Sequence, residues 1–218
     1  MKDKKPLEQR QYHFDIRAEE NNTGSIITGR PIVYDKVTDL GYCAEVIEQG
    51  ALDETDLRDV RFLVNHDFSK IPLARSRKNT KNSTMQLSVD KDGMEIRVNL
   101  DTENNTDARN LYSAVKRGDV SGMSFMFSVR EEEWENLDSD YPTRHIKAIG
   151  TVVEVSAVTF PAYDSTEINA RGKTALENAR QAVETARQKR ERSVDTDLAL
   201  ERLKAHYCLL YTSPSPRD

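Results

Sequence analysis

Three short segments of the chain contain the residue types that acyl-transfer chemistry requires. The segments are NHD at 65–67, GMSF at 122–125 and EVS at 154–156. A serine hydroxyl is a poor nucleophile until a base removes its proton, and an imidazole oriented by a carboxylate is a suitable base. The sequence therefore offers Ser124, His66 and Glu154 as candidates for a nucleophile, a base and an acid.

Each candidate lies at or beside an apolar run that is typical of a β-strand. His66 follows the run 60–64. In the last apolar run, strict alternation places Glu154 on the same face as Val152 and Ser156. A carboxylate among apolar neighbours is costly unless it is paired, and an imidazole is a suitable partner. Residue types alone leave structural roles open, since a serine in a strand usually packs and a glutamate facing a core commonly pairs with an arginine.

Other chemistries have less support in the residue pattern. The four histidines are scattered and no His-x-x-x-His or Cys-x-x-Cys pattern is present, so a metal site is not predicted. Glycine-rich phosphate-binding patterns are absent as well, so no nucleotide or other cofactor is expected. The Gly-x-Ser-x-Gly turn of α/β-hydrolases is also missing, because Met126 stands where that pattern needs its second glycine. A nucleophile at Ser124 would therefore lie on a strand.

The overall composition narrows the class of protein. The 218 residues carry a net charge of −5, which gives no argument for nucleic acid as a partner. The apolar runs are too short to span a bilayer, so no membrane association is expected, and the N-terminal residues lack the apolar stretch of a secretory signal. The two cysteines, Cys43 and Cys208, suggest neither a metal site nor a disulfide framework. These features favour a protein that works in a reducing cytoplasm.

The pattern of strands and helices predicts a β-rich α+β fold. Roughly eight short strands and one or two helices are expected between residues 10 and 170, which is typical of a barrel or a sandwich. Two alternating runs around a Lys-Asp-Gly turn predict a hairpin over 85–100. Residues 106–116 have helical spacing and end before Gly118, which is a common helix stop. The charged segment 130–143 is interpreted as an exposed loop or the arm of a hairpin.

The chain divides into four segments by composition. Residues 1–11 are expected to form an N-terminal tail and residues 12–171 the folded domain. Residues 172–207 have apolar positions at helical spacing among many charges, which predicts a charged helical arm outside the core. Whether this arm binds a partner or is an ordinary surface helix stays open. The last residues, 208–218, resemble the translation of a transposase-type sequencing adapter, and we interpret them as an assembly artefact.

The order of the motifs resembles the prohead, or capsid-maturation, serine proteases of tailed bacteriophages, which are related in fold to the herpesvirus assemblin proteases. The segments that carry the resemblance are EVIEQGA (45–51), VRFLVNHD (60–67), IPLAR (71–75), GDVSGMSFMF (118–127) and EVSAVTFPAY (154–163). The resemblance covers about residues 12–171 and implies that they form a protease domain. It also implies a herpesvirus-protease-like closed β-barrel of about seven or eight strands with surrounding helices.

The same resemblance implies an activity and a role for each candidate. Family members are serine endopeptidases that work through an acyl-enzyme inside the assembling procapsid, in the host cytoplasm. They cleave the scaffold segment from the major capsid protein and often cleave themselves. Ser124 would be the nucleophile, His66 the general base and Glu154 the group that orients the imidazole. The herpesvirus relatives use a second histidine in that third position, so His145 is an alternative to Glu154, and Asp67 is a more remote one.

Two other interpretations stay open. The chain could be a non-catalytic scaffolding or capsid-interior protein that retains the fold, with the arm at 172–207 holding it to capsid subunits. It could also be a general cytoplasmic peptidase. The partners expected for the main interpretation are the major capsid protein and its scaffold segment, and self-association is an open option.

Overall fold

Strands dominate the part of the chain that the structure describes. The computed structural model describes residues 7–13, 16–21, 24–159 and 174–185. Its strands are β1 (Leu7–His13), β2 (Arg17–Asn21), β3 (Gly24–Val33), β4 (Thr38–Asp39), β5 (Ala44–Ile47), β6 (Asp59–Val64), β7 (Ala74–Arg77), β8 (Met85–Asp90), β9 (Gly93–Leu100), β10 (Gly122–Glu135) and β11 (Thr143–Val158). Between β9 and β10 the helix α1 spans Thr106–Arg117. The predicted β-rich character is therefore confirmed.

The described strands form two sheets. The larger runs in the order β1-β10-β11-β5-β4, with β6 also paired to β11 and β7 paired to β6, and the smaller runs in the order β2-β3-β9-β8. In the larger sheet, β10 and β11 form a long antiparallel hairpin. Both β5 and β6 run parallel to β11, β5 along residues 143–146 and β6 along residues 154–157. Through this pairing β11 brings the end of β6 close to the first half of β10.

The predicted closed barrel is not found among the described residues, because no backbone ladder joins the two sheets. Between β7 and β8 a side chain takes the place of such a ladder. Asn79 donates from Nδ2 to the Leu87 carbonyl at 2.7 Å and accepts from the Leu87 N–H at 2.8 Å. An amide that occupies both backbone groups of an edge residue removes them from pairing with another strand. Alternating sequence patterns predict strands, but they do not report contacts of this kind.

A hydrophobic cluster in the described residues joins the two sheets. It contains Ile27 and Ile96 from the smaller sheet, Phe62 and Phe125 from the larger sheet, and Leu111 from α1. All five side chains are buried. Because burial of apolar surface stabilises a fold by about 25 cal/mol per Å², this shared cluster holds the sheets and the helix together.

The helix α1 has the ends that its sequence predicts. Asn105 precedes it and accepts hydrogen bonds from the backbone N–H groups of Asp107 at 3.0 Å and Ala108 at 3.3 Å. Gly118 follows it with a φ of 81°, a left-handed conformation that glycine adopts without steric cost. Ala108, Leu111 and Val115 form its buried face. Their spacing of three and four residues is what identified the helix in the sequence.

The charged segment 130–143 is the arm of a hairpin, one of the two structures predicted for it. β10 continues to Glu135 and β11 starts at Thr143. The ladder between them shifts register near residues 126–132. Such irregularities bend a strand and change which face a side chain points to.

Five charged side chains form an ionic cluster in the larger sheet. Arg10 lies 2.5 Å and 2.6 Å from the two carboxylate oxygens of Glu45 and 2.7 Å from Glu8. Arg144 donates to Glu8 at 2.6 Å and 2.8 Å, to Glu45 at 3.1 Å, and to Glu132. Except for Glu132, these residues are buried. We call these five residues the ionic cluster.

The ionic cluster corrects the predicted N-terminal tail. Residues 1–11 were expected to lie outside the fold, but residues 7–11 belong to β1 and pair with β10. The inward side chains Glu8 and Arg10 are charged, so the strand has no apolar alternation in the sequence. Their burial is possible because each is paired with opposite charges.

The chain divides into two compact units, residues 1–173 and 174–218. In the second unit residues 174–185 form a helix, within the predicted arm at 172–207. The rest of that arm, and the segment 208–218, lie outside the described residues. In the described part of the chain, no helix is both long and apolar enough to cross a bilayer.

Candidate active site

His66 lies in a strained turn at the end of β6. Asn65 and His66 both have left-handed backbone conformations, with φ angles of 51° and 58°. The N–H of Asp67 donates to the Val64 carbonyl at 3.1 Å and closes the turn. Two consecutive residues with positive φ are typical of a type I′ turn, and each costs about 1–3 kcal/mol when it is not glycine. Such a conformation persists only where neighbouring structure holds it.

Three hydrogen bonds to β11 and the residue after it hold this turn. The Asn65 N–H donates to the Ala157 carbonyl at 2.9 Å, and the Asn65 side chain accepts from the Thr159 N–H at 3.0 Å. The His66 N–H donates to Ser156 Oγ at 3.2 Å. These contacts follow from the parallel pairing of β6 with residues 154–157, which places both strand ends at the same edge. The backbone of the histidine is therefore fixed from the strand that carries Glu154.

The structure brings His66 and Glu154 together. His66 Nδ1 lies 2.5 Å from Glu154 Oε1, and the second oxygen, Oε2, accepts from Ser156 Oγ at 2.6 Å. The Glu154 side chain is fully buried and that of His66 is 11% exposed. Because a carboxylate accepts hydrogen bonds, Nδ1 carries the ring proton and Nε2 keeps its lone pair. Nε2 is buried and has no hydrogen-bond partner among the described residues.

Ser124 lies on the neighbouring strand, on the same face as this pair. Its Cα is opposite that of Ser156 in the β10–β11 ladder, and directly opposite residues share a face of the sheet. The Ser124 side chain is fully buried. Its hydroxyl donates to the Arg10 carbonyl at 2.6 Å and not to His66. The structure therefore assembles the histidine with the glutamate and places the serine beside them with its proton on another acceptor.

An irregularity in the ladder sets the face on which Glu154 lies. Met126 is opposite Glu154, whereas the next residue, Phe127, is opposite Val152, so Val153 is an extra residue in β11. Val152 consequently joins the hydrophobic cluster with Phe127. The expectation that Glu154 and Val152 share a face is therefore wrong. The bulge turns Glu154 to the opposite face, the one that carries Ser124.

The two alternatives for the third group lie elsewhere. His145 Nδ1 is 3.0 Å from Glu48, and its Nε2 is 3.6 Å from Glu135. It lies nine residues before the proposed acid on the same strand, which is about 30 Å along an extended chain. Asp67 follows the histidine directly but accepts from the hydroxyl and the N–H of Ser69, which lowers the pKa of its carboxyl.

Ser156 and Asn65 are two polar residues of the site to which the sequence assigned no role. Ser156 hydrogen-bonds both the acid and the backbone of the histidine. The signal for it is its position two residues after Glu154, which places both side chains on one face. The signal for Asn65 is its residue type, since asparagine tolerates the left-handed conformation better than most residues. We call His66, Ser124, Glu154 and Ser156 the serine–histidine cluster.

An imidazole held by a carboxylate, with its other nitrogen unprotonated and a serine on the adjacent strand, is the set of groups that serine hydrolases use. A family model described as Caudovirus prohead serine protease matches residues 12–181, which is more than half of the chain. The chain belongs to this family of phage capsid-maturation proteases. The resemblance predicted from the motif order is confirmed.

One solved structure illustrates the similarity, and its title is "Structure of the bacteriophage T4 capsid assembly protease, gp21". It matches with a TM-score of 0.43 and 10% sequence identity, over 71% of this chain and 98% of that chain. Among curated proteins, no sequence matches this chain.

Proposed function

We propose that the protein is a serine endopeptidase that matures procapsids by cleaving the scaffold segment of the major capsid protein, and that it also cleaves itself. Ser124 is the nucleophile, His66 the general base and Glu154 the group that orients the base. The observation that carries this proposal is the His66–Glu154 pair, whose Nε2 is buried and without a hydrogen-bond partner in the described structure. A nitrogen in that state is ready to accept a proton.

The reaction then proceeds through an acyl-enzyme. The Ser124 hydroxyl leaves the Arg10 carbonyl by rotation about χ1, a motion of picoseconds to nanoseconds in a free side chain, and turns toward His66. Nε2 takes the proton as Oγ attacks the scissile carbonyl, and the imidazolium returns it to the leaving amine. Water enters, is deprotonated by the same nitrogen and hydrolyses the acyl-enzyme. Glu154 stays a carboxylate throughout and stabilises the imidazolium.

The remaining hydrogen bonds of the site support this geometry. Ser156 holds the second oxygen of Glu154 and the backbone of His66, so that one hydroxyl fixes the acid and the base relative to each other. Asn65 ties the turn to Thr159. A base that is held by its neighbours loses little freedom when the substrate binds, which favours catalysis.

The partners in this proposal are the major capsid protein with its scaffold segment, and a second copy of the chain where self-cleavage occurs between molecules. The site of action is the interior of the assembling procapsid in the host cytoplasm. The arm at 172–207 directs the protease into the procapsid. Deletion of residues 172–207 should prevent incorporation and leave peptide cleavage intact, and unchanged incorporation would contradict this role of the arm.

Co-expression with the neighbouring capsid gene tests the proposal. Mass spectrometry should find a capsid protein shortened at one junction when the protease is intact. Ser124→Ala should lower the cleavage rate about 10⁶-fold, because the hydroxyl and the imidazole act as one unit. The matched control is Ser128→Ala, another buried serine of the same strand, which should cleave normally. Near-normal cleavage by purified Ser124→Ala protein would refute the assignment.

One observation favours the second candidate function, a non-catalytic capsid-interior protein. The Ser124 hydroxyl is already satisfied by the Arg10 carbonyl, as a purely structural serine would be. In that case the capsid protein would remain uncut in the presence of the intact chain, and the Ser124→Ala variant would assemble into procapsids as the parent does.

A further inference from the structure

A cavity of about 240 Å³ lies beside the turn that carries His66. It is bounded on one side by the loop 65–73, which joins β6 to β7, and on the other by α1. The residues that form its apolar wall are Leu63, Val64, Leu73, Leu111, Ala114 and Val120. Thr159, which the Asn65 side chain anchors, also lines it. The cavity and the proposed base are therefore built on the same turn.

The size of the cavity selects the kind of group that it can hold. An apolar cavity of about 150 Å³ accommodates one benzene ring, and sites for drug-sized molecules begin at about 300 Å³. A volume of 240 Å³ is right for one large side chain and too small for a folded segment. Because the wall is apolar, a group without charge or hydrogen-bonding atoms gains most from entering it.

The mouth of the cavity exposes apolar side chains to water. Ile71 lines the cavity and is 85% exposed, and Phe68 on the same loop is 55% exposed. Single exposed apolar residues are common on protein surfaces. Two large ones on one nine-residue loop, next to an apolar cavity, instead extend that cavity outward along the surface. A chain lying across the loop would cover them.

The charges at the rim add a second criterion. Asp67 and Asp107 both line the cavity, and Lys70 pairs with Asp107 at 3.2 Å. Hydrogen bonds from Ser69 lower the pKa of the Asp67 carboxyl, so it is ionised at neutral pH. Two carboxylates against one ammonium group leave the rim negative. An acidic side chain would therefore be repelled, while an apolar one would not.

We propose that this cavity is a substrate subsite that receives one aliphatic or methionine side chain of the peptide, within a few residues of the bond that is cut. This inference rests on the proposed function, since it needs His66 to be the base. It adds a substrate class, namely peptides with one large apolar residue and no acidic residue at a fixed position. Hydrogen bonds to the peptide backbone carry no such preference, so the cavity sets the selectivity.

Cleavage of a peptide mixture tests the subsite. The full chain is incubated with peptides from a digest of denatured protein, and mass spectrometry reports the residues around each cut. The intact protease should favour Leu, Ile or Met at one position. Ala114→Leu fills the cavity and should lower kcat/KM for the preferred peptide by about 10- to 200-fold, the usual value of a misfit in an apolar pocket. The preference should shift to alanine or valine.

Two further variants complete the design. Ile71→Ser changes the exposed mouth without risk to the fold and should weaken the same preference. Lys116→Leu adds the same side chain to an exposed position of α1 outside the cavity and should change nothing.

The outcomes separate the two proposals. If the intact protein cleaves and Ser124→Ala does not, but Ala114→Leu and Ile71→Ser keep the parental preference, the subsite is wrong and the proposed function stands. If the intact protein cuts no peptide and no capsid protein, both proposals fail.

Discussion

Two buried polar clusters of the larger sheet follow different rules. In the ionic cluster, two arginines face three glutamates, and in the described structure none of its buried side-chain nitrogen or oxygen atoms lacks a hydrogen-bond partner. In the serine–histidine cluster one ring nitrogen, His66 Nε2, is buried without a partner. A buried polar atom without a hydrogen bond costs about 1–3 kcal/mol. The first cluster is complete as it stands, whereas the second needs a further group to complete it.

The two clusters meet at Arg10. Its guanidinium belongs to the ionic cluster, and its backbone carbonyl accepts from the hydroxyl of Ser124. The ionic cluster fixes β1 against β5 and β11, so it also fixes the acceptor that holds the serine at rest. Changes in one cluster should therefore affect stability, and changes in the other should affect turnover. The following experiments separate these two effects.

The largest effect is expected for the acid of the serine–histidine cluster. Glu154→Gln keeps the shape of the side chain but removes the charge that stabilises the imidazolium, and the amide also allows the wrong tautomer of His66. By analogy with the carboxylate of serine protease triads, kcat should fall about 10⁴-fold. Cleavage of a fluorogenic peptide measures it.

Glu132→Gln is the matched control for this acid, because Glu132 lies at the edge of the ionic cluster. Its turnover should equal that of the parent. A loss of less than tenfold in Glu154→Gln would remove the acid from the mechanism.

The second effect concerns stability. Arg144→Met leaves the buried carboxylates of Glu8 and Glu45 without one of their two arginines, and breaking a buried ionic contact in this way costs about 3–5 kcal/mol. Urea unfolding should show this loss. Arg58→Met, at a side chain that is 77% exposed, should change the free energy of unfolding by less than about 0.5 kcal/mol. Equal, small losses in both variants would mean that the ionic cluster does not stabilise the fold.

The third effect tests Ser156 as a positioning residue. Ser156→Ala removes the hydrogen bonds to Glu154 and to the His66 backbone, and we expect kcat to fall by about 10- to 100-fold with little change in KM. Steady-state kinetics with one peptide separates the two constants. Ser76→Ala, at a serine that is fully buried in β7, serves as the control and should leave both constants unchanged. A rise in KM with an unchanged kcat would indicate a role in substrate binding instead.

The smallest effect is the response of the ionic cluster to acid. Burial opposes ionisation of Glu8, but the hydrogen bond from Arg144 and the charges of Arg10 and Arg144 outweigh it and lower the pKa of Glu8 from 4.5 to about 2. A carboxyl whose pKa is lower in the folded state stabilises the fold above its unfolded pKa and loses that contribution as the pH falls. The contribution of Glu8 should therefore be complete above about pH 4.5 and disappear toward pH 2.

Glu8→Gln tests this pH dependence, because the amide does not titrate. The unfolding free energy of the variant should fall less steeply between pH 4.5 and pH 2 than that of the parent. Identical slopes in urea titrations at several pH values would assign the acid response to other carboxyls.

The sequence predicted those parts of the molecule whose side chains follow a regular period. The β8–β9 hairpin alternates, and α1 has apolar residues three and four apart between Asn105 and Gly118. The family and the three candidate residues were evident from the order of the motifs. The pairing of His66 with Glu154 is present in the structure as the chemistry of a buried carboxylate suggests.

The parts that the sequence did not predict depend on contacts between distant residues. β1 carries Glu8 and Arg10 inward, and only their partners on β5 and β11 make that possible. The extra residue Val153 reverses the face of Glu154, and strict alternation has no means of locating a bulge. The acceptor of Ser124 lies 114 positions earlier in the chain. No local pattern encodes a hydrogen bond of that span.

The parallel pairing of β6 with β11 has a consequence for the nascent chain. His66 and Glu154 are 88 positions apart, and parallel strands cannot close as a hairpin. During translation the imidazole and the hydroxyl leave the ribosome first, and the strand that carries the carboxylate leaves last. An unfinished polypeptide therefore holds no assembled proteolytic centre, and neighbouring capsid chains on the same messenger are safe from it until synthesis has passed residue 158.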